Sequence, residues 1–270
     1  MSRTSLSLNL PINKIDDPFR DIFSDRSMAE MVKLNEHVEL AVLICAQGAF
    51  DAAAQERAKA ICAAHGIDCR VTEVPEENPC RIAYLRETAN LLKPESDYYM
   101  LLDDDNEFVP GSAEKYLAAI AFFEANPKCG SLGNYGEFGS VAYGHEIRPD
   151  PHGKIAATQR GLMFRNIFEG RIFPEETLMM FGPYEEMAAI IKVNLAGYWY
   201  AKQFKVPTKI KRKIKKIADG SHPDDNQLHS IELGNANVRA WIRRVMNKPY
   251  YLYGDSILNL GFGIKPKGKA

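Results

Sequence analysis

Short apolar runs alternate along the chain with segments of helical periodicity, and this pattern predicts alternating strands and helices. Val38–Cys45 and Tyr98–Leu102 are almost wholly apolar, which is typical of central strands that are buried on both faces. Further strands are predicted at 68–74, 161–166 and 198–204.

Helices are predicted between these strands from their cap residues and apolar spacing. Asp51 is placed to cap an alanine-rich helix that reaches Ala64, and Gly66 follows as its stop signal. Strand–helix alternation of this kind predicts right-handed crossovers and a mostly parallel sheet. The other predicted helices are at about 27–34, at 80–92 with Pro79 in the first turn, at 113–124 with Ser112 as the cap, and at 184–195 between Pro183 and Gly197.

The division of the chain follows from these elements. Residues 1–34 are interpreted as an N-terminal preamble, 35–204 as one α/β domain, and 205–270 as a C-terminal basic extension packed on that domain. The length of 270 residues is enough for one large domain with such an appendage.

The composition is that of an ordinary globular protein, with 46% hydrophobic and 26% charged residues and a formal net charge of −1. The five cysteines are scattered and include no Cys-x-x-Cys pair, which argues against a disulfide framework or a zinc site. A reducing, cytoplasmic compartment is therefore predicted. The first ten residues do not resemble a signal peptide, and no run of 18 apolar residues predicts a transmembrane helix.

The strand at Tyr98–Leu102 runs directly into Asp103, Asp104 and Asp105. Three carboxylates at one strand end repel one another and lose solvation, and a divalent cation relieves both costs. Ligands of open α/β sheets bind outside the carboxyl ends of the strands. The sequence therefore predicts a hard-cation site at this edge of the sheet.

The acidic cluster by itself is open to other interpretations. Asp103, Asp105, Glu107 and Glu114 have the spacing of an EF-hand loop, but Phe108 stands where that loop needs glycine. An Asp-x-Asp after a strand also occurs in haloacid-dehalogenase-like phosphatases, and a solvated acidic loop needs no ligand. A nicotinamide or flavin enzyme is disfavoured, because no Gly-x-Gly-x-x-Gly follows the first predicted strand.

The order of elements and the block Leu101–Asp105 resemble the GT-A glycosyltransferases over approximately residues 38–225. The resemblance implies a Rossmann-related, mostly parallel α/β sheet flanked by helices, and transfer of a sugar from a nucleoside-diphosphate donor, with a UDP-sugar favoured. It implies that Asp103 and Asp105 bind Mn²⁺ or Mg²⁺ and that Asp103 and Asp104 contact the nucleotide. A divalent cation suits this reaction because negative charge builds up on the diphosphate leaving group.

A second segment, Phe181–Glu186, resembles the family's Gly-x-Glu-Asp helix start, with a glutamate in the place of the aspartate. The resemblance implies that Glu186, or Glu185 beside it, is the base that deprotonates the acceptor hydroxyl. Acidic residues in a first helical turn also complement the helix dipole without any catalytic role.

The remaining site residues are expected around the nucleotide and the metal. Arg86 stands close to the position of an arginine in the family and is expected to contact the nucleotide, since arginine binds phosphate through paired hydrogen bonds. Gln47 and Glu73 are expected as further nucleotide contacts at strand ends. His222, in a late loop, is expected to complete the metal's ligands, for which neutral imidazole is suitable.

A basic run extends over Lys205–Lys216, and Ile210, Ile214 and Ile217 within and after it have helical spacing. A second basic patch lies at 239–248. In a nearly neutral chain this asymmetry favours a polyanionic partner. A compact chain with a basic patch also resembles the TET-associated and viral glycosyltransferases that modify hydroxymethylated pyrimidines, so DNA is the predicted acceptor. A glycan or lipid-linked acceptor, and a non-catalytic GT-A-like nucleic-acid-binding protein, are the alternatives.

Overall fold

A seven-stranded sheet forms the middle layer of the protein, with helices on both faces. The structure, a computed structural model, describes residues 3–12, 19, 22–48, 50–75, 81–103, 106–134, 161–178, 185–204 and 208–210.

The strands of this part of the chain are β1 Ser5–Ile12, β2 Glu39–Gln47, β3 Asp68–Val74, β4 Tyr98–Leu101, β5 Asn106–Phe108, β6 Cys129–Asn134, β7 Leu162–Arg165, β8 Trp199–Phe204 and β9 Thr208–Ile210. The helices are α1 Asp25–His37, α2 Ala52–Ala63, α3 Ile82–Asn90, α4 Ser112–Ala125, α5 Glu175–Leu178 and α6 Glu185–Leu195.

The main sheet has the strand order β3-β2-β1-β4-β7-β6-β8. The strand β7 runs antiparallel to both of its neighbours, whereas the other pairs in the sheet are parallel. The mostly parallel α/β sheet that the sequence predicts is therefore confirmed. The strands β5 and β9 form a separate antiparallel pair.

Two apolar clusters hold the three layers together. One cluster joins one face of the sheet to α1, α2 and α4, through residues such as Leu8, Met31 and Phe123. The other joins the opposite face to α3 and α6, through residues such as Leu85 and Ile190. Among the residues that the structure describes, none of the helices combines the length and the apolar character needed to cross a bilayer.

The strand β1 corrects the sequence analysis, which predicted only a preamble with one helix before residue 35. Ser5–Ile12 lies between β2 and β4 and is buried along its whole length. Its leucines enter the α1 side of the core, while Ser5, Ser7 and Asn9 alternate with them. The polar residues are tolerated because each has partners: the Ser5 hydroxyl donates to Asp97 at 2.8 Å, and Ser7 shares a hydrogen bond of 2.5 Å with Ser96.

Helix ends follow the predicted signals in part. Asp51 caps α2 by accepting from the Ala53 N–H at 3.1 Å, and Gly66 follows with φ of +66°, as expected. The predicted cap of α4 is wrong, because Ser112 is already helical. The Ala113 N–H, in the first turn of α4, instead donates to the carboxylate of Glu30 in α1 at 3.0 Å.

The described part of the basic run is a strand rather than a helix. Thr208–Ile210 pairs with β5, with Ile210 opposite Asn106 and Thr208 opposite Phe108. The helical spacing of Ile210, Ile214 and Ile217 therefore does not predict the conformation of 208–210, which is set by pairing with β5. Ile214 and Ile217 lie outside the described residues.

We predict that Gly130→Ala destabilises the fold by about 1–3 kcal/mol, because an added methyl group overpacks the contact between β6 and α6. A Cβ at Gly130 would clash with the Val193 Cγ1 and would lie 2.7 Å from the Tyr198 Cβ. Urea denaturation of the variant measures the loss.

Val193→Ala provides the matched test of this packing contact. In the Gly130→Ala background it should cost less free energy than it does alone, because it removes one of the two crowding atoms. Strict additivity of the two substitutions would contradict the proposed clash.

Candidate functional site

The acidic cluster follows β4 at the carboxyl edge of the sheet, where the sequence predicts it. The Leu102 N–H donates to the Asn9 carbonyl at 3.0 Å, which continues the pairing of β4 with β1 by one residue. Asn106 closes the turn that follows: its side-chain oxygen accepts from the Asp103 N–H at 3.1 Å, and its own N–H donates to the Asp103 carbonyl at 3.1 Å. The position of Asp103 is thus fixed by two backbone–backbone hydrogen bonds and by one hydrogen bond to the Asn106 side chain.

The strand β5 ties the far end of this turn to the body of the protein. The Phe108 N–H donates to the Ser27 hydroxyl of α1 at 2.9 Å. The β5–β9 pairing begins at Asn106, so the described start of the C-terminal segment lies beside the strand that leaves the acidic cluster.

Arg86 lies in α3 and is only 1% exposed. Its Nη2 donates to Asp103 Oδ1 at 2.8 Å and its Nε donates to Glu185 Oε1 at 3.1 Å. Its Nη1 donates to the Leu102 carbonyl at 2.9 Å. Although burial would lower the pKa of Arg86, the charges of the surrounding carboxylates raise it above its ordinary value.

The contact of Arg86 with a nucleotide, which the resemblance implies, stays a prediction. In the described structure its guanidinium donates to protein carboxylates and to a carbonyl. A buried charge needs partners of this kind.

Glu185 and Glu186 open α6 and are buried, at 5% and 3% exposure. Within the described part of the chain, the Oε2 atoms of both glutamates have no hydrogen-bond partner. Burial raises the pKa of Glu186 well above its ordinary value, and the neighbouring charge of Glu185 adds to the effect. Burial also raises the pKa of Glu185, against the opposing effect of Arg86.

The fold thus brings together residues that are far apart in sequence. Asp103 follows β4, Arg86 is in α3 and Glu185 begins α6, and one guanidinium joins the two carboxylates. A carboxyl group with a raised pKa is suited to act as a general base, and the partly exposed carboxylate of Asp103 is the type of ligand that Mg²⁺ and Mn²⁺ prefer. The side chain of Asp103 is 34% exposed.

Gln47 and Glu73 lie at the carboxyl ends of β2 and β3, on the same edge of the sheet. The Glu73 carboxylate accepts from the Phe50 N–H at 3.1 Å and from the Gln55 amide, so it supports the loop that leads into α2. Gln47 is 9% exposed. Their contact with a nucleotide stays a prediction.

Three of the predicted residues, Asp104, Asp105 and His222, lie outside the described residues. Among those that the structure does describe, no three His, Cys, Asp or Glu side chains converge as a metal cluster. Of the three predicted metal ligands, Asp103 is the one that the structure describes. Its carboxylate is a suitable ligand for a hard divalent cation.

Sequence reasoning missed the asparagines that support the site. The Asn9 amide donates to the Arg86 carbonyl at 2.6 Å and to Asn90 Oδ1 at 2.7 Å, and Asn106 closes the acidic turn. The sequence feature that could have predicted this role is an asparagine between two leucines, because a buried asparagine needs specific hydrogen-bond partners.

Comparison with known proteins supports the fold. No family model matches the sequence, and no curated protein matches it. TarS from S. aureus is similar in structure, with a TM-score of 0.53 and 13% identity over 97% of this chain and 44% of TarS. Residues 1–349 of TarS in complex with UDP-GlcNAc give a TM-score of 0.50 and 12% identity over 87% of this chain and 66% of that one.

The mannosyltransferase PcManGT from Pyrobaculum calidifontis, in complex with GDP-Man and Mn²⁺, has a TM-score of 0.52 and 13% identity over 98% of this chain and 81% of that one. This chain spans less than two thirds of the TarS structures. Identities this low establish the fold alone, and that fold is the GT-A fold of glycosyltransferases.

We predict that Glu186→Gln stabilises the protein at about pH 8 by on the order of 1 kcal/mol or more, because a buried charge is removed. The pKa of Glu186 in the folded state lies above its unfolded value of 4.5, so folding takes up protons. The stability that this group contributes is therefore present below the unfolded pKa and is lost as the pH rises through the folded pKa.

Urea denaturation between about pH 4 and pH 8 measures this effect, and the wild type and the variant should converge at the acidic end. The exposed Glu56→Gln is the control and should follow the wild type throughout. A Glu186→Gln curve parallel to the wild type would refute the prediction.

Proposed function

We propose that this protein is a metal-dependent glycosyltransferase, which moves a sugar from a nucleoside-diphosphate donor to a hydroxyl acceptor. The observation that carries the proposal is the convergence of Asp103 and the Glu185–Glu186 pair on the buried Arg86 at the carboxyl edge of a GT-A fold. Ligands of open α/β sheets bind at this edge.

The donor end of the proposed site is the acidic turn after β4. Asp103 and Asp105 would hold Mn²⁺ or Mg²⁺, and Asp103 and Asp104 would contact the nucleotide, with Gln47 and Glu73 at the neighbouring strand ends. A bound divalent cation supplies charge stabilisation for the departing diphosphate. His222 is a further candidate ligand from the late part of the sequence.

The acceptor end is the first turn of α6. Glu186 takes the proton of the acceptor hydroxyl. At the same time the hydroxyl oxygen forms a bond to the anomeric carbon of the donor sugar, and the bond from that carbon to the diphosphate breaks. The environment of Glu186 suits this role, because burial raises its pKa and its Oε2 has no partner in the described part of the chain. Glu185 is less suited, since Oε1 already accepts from Arg86.

The solved structures support this choice of donor class. TarS is found with UDP-GlcNAc, and PcManGT with GDP-Man and Mn²⁺. A nucleoside-diphosphate sugar is the ligand that these two complexes have in common, and a UDP-sugar remains our preferred donor.

Calorimetric titration with UDP-GlcNAc, GDP-mannose and the free diphosphates, with and without Mn²⁺, tests this proposal. We expect binding of at least one donor that depends on Mn²⁺ and that falls by about 10-fold or more in Asp105→Ala, because a carboxylate ligand is lost.

The exposed Glu56→Gln, which removes one negative charge that pairs with Lys59, is the matched control and should bind as the wild type does. Failure of every donor to bind in the presence of Mn²⁺ would contradict the transferase proposal and favour a non-catalytic scaffold.

For the acceptor we propose a polyanion, with DNA that contains hydroxymethylated pyrimidines as the specific case. The supporting feature is the basic run at 205–216, whose described part pairs with β5 next to the acidic turn. The positive charge of this run would attract a negatively charged acceptor.

Duplex DNA should bind in low salt, and its affinity should fall steeply as the salt concentration rises, because bound counterions are released. Replacing Lys211, Arg212 and Lys213 by glutamine should reduce the affinity by about 10-fold and flatten the salt dependence. Absence of DNA binding in low salt would exclude this acceptor and leave a glycan or lipid-linked acceptor.

A further inference from the structure

We propose that Arg86 is a positioning residue, which holds the donor-side Asp103 and the first turn of the acceptor-side α6 in one fixed geometry. This inference rests on the proposed transferase function and gives Arg86 a role that acts through Asp103 and Glu185. It also assigns Glu185 as an anchor of α6.

The hydrogen bonds of the guanidinium support this role. Nη2 binds Asp103 Oδ1 at 2.8 Å, Nε binds Glu185 Oε1 at 3.1 Å, and Nη1 binds the Leu102 carbonyl at 2.9 Å. These acceptors belong to the end of β4 and to the start of α6. Because the donors of a guanidinium are rigid and coplanar, fixing one acceptor constrains the direction of the others.

The bond to Asp103 also orients its carboxylate. Arg86 occupies Oδ1, and the side chain of Asp103 is 34% exposed, whereas that of Arg86 is 1% exposed. Among the described residues, no hydrogen bond reaches the other oxygen, Oδ2, which is therefore the candidate to bind a ligand at the carboxyl edge of the sheet. Arg86 thus determines which carboxylate oxygen of Asp103 is offered to the donor.

The bond to Glu185 distinguishes the two glutamates of α6. Glu185 Oε1 is held by Arg86, so its carboxylate fixes the helix start. The neighbouring Glu186 is positioned by the same turn of helix, and the hydrogen bonds of the described residues leave its Oε2 unpaired. Any rotation of α6 would therefore move Glu186 relative to Asp103.

Arg86 is itself held in place by Asn9 of the interior strand β1. The Asn9 amide donates to the Arg86 carbonyl at 2.6 Å and to Asn90 Oδ1 at 2.7 Å. Asn90 in turn donates to the Gly170 carbonyl at 3.1 Å. A residue with such support on both its backbone and its side chain is suited to positioning, because its own rotamer cannot drift.

Arg86→Lys provides the first test. Lysine keeps the charge but lacks the fork that reaches both carboxylates, so kcat should fall by about 100-fold, the effect of a displacement of about 1 Å in a catalytic site. Donor affinity in the presence of Mn²⁺, measured without acceptor, should change by about 10-fold at most, since only one donor-side carboxylate is affected.

Arg70→Lys is the matched control for this change. Arg70 also pairs with an aspartate, at 2.9 Å to Asp68, and with a backbone carbonyl, at 2.5 Å to Leu92, but it lies outside the site. Its kcat should stay within about 3-fold of the wild type, because a partly exposed ion pair contributes little. A wild-type kcat in Arg86→Lys would overturn the proposal.

Chemical rescue separates positioning from a general loss of stability. Guanidinium chloride in the millimolar range should restore kcat of Arg86→Ala by about 10-fold or more, whereas methylammonium should not, because only guanidinium reproduces the planar donors. Rescue by neither cation, in a variant whose thermal unfolding is cooperative, would overturn the proposal.

Two outcomes separate this inference from the function on which it rests. If Arg86→Ala does not fold, Arg86→Lys decides the question through kcat and thermal unfolding together: a folded variant with low kcat supports the positioning role, and an unfolded one overturns it in favour of a structural role.

If the wild type neither binds a donor nor transfers a sugar, the proposed function fails, and this inference fails with it. If the wild type is active and Arg86→Lys matches it, only this inference fails.

Discussion

The buried guanidinium of Arg86 is the interaction on which the candidate site depends. Removing a cation from water carries a large cost, and this one is offset only because two carboxylates and a carbonyl converge on it. Those acceptors lie at the end of β4 and the start of α6, so the packing of α3 and α6 on the sheet must be correct before the charge can be buried. The site and the fold are in this sense stabilised together.

Local signals in the sequence predicted much of this edge of the sheet. An apolar strand that ends in carboxylates marks Asp103, and an acidic first turn marks Glu185 and Glu186, because both patterns are complete within a few residues. The partner that joins them could not be predicted in this way. An arginine in a helix is usually exposed, and the burial of Arg86 depends on residues 17 and 99 positions away.

The strand β1 shows a second limit of sequence patterns. Alternating serine and leucine is typical of a strand with one solvent-exposed face. Nothing in the position of this segment, before the first strong apolar run, predicts an interior strand. In the fold the polar face is covered by α3, and Ser5, Ser7 and Asn9 are accommodated by partners that are distant in sequence. Asn9 is at the same time the residue that supports Arg86, so the strand that sequence reasoning missed is also the one that orients the site.

The balance of charge around Arg86 bears on what the arrangement is for. A purely structural ion pair needs one carboxylate, yet Asp103, Glu185 and Glu186 all act on this guanidinium in the described part of the chain. The surplus is unfavourable in a buried site, which is why burial and the charge of Glu185 raise the pKa of Glu186. A proton on Glu186, or a divalent cation near Asp103, relieves that surplus. Both occur in the transfer that we propose, in which a base takes up a proton and a cation binds the diphosphate. The groups that destabilise the fold here are therefore the groups that the proposed reaction requires.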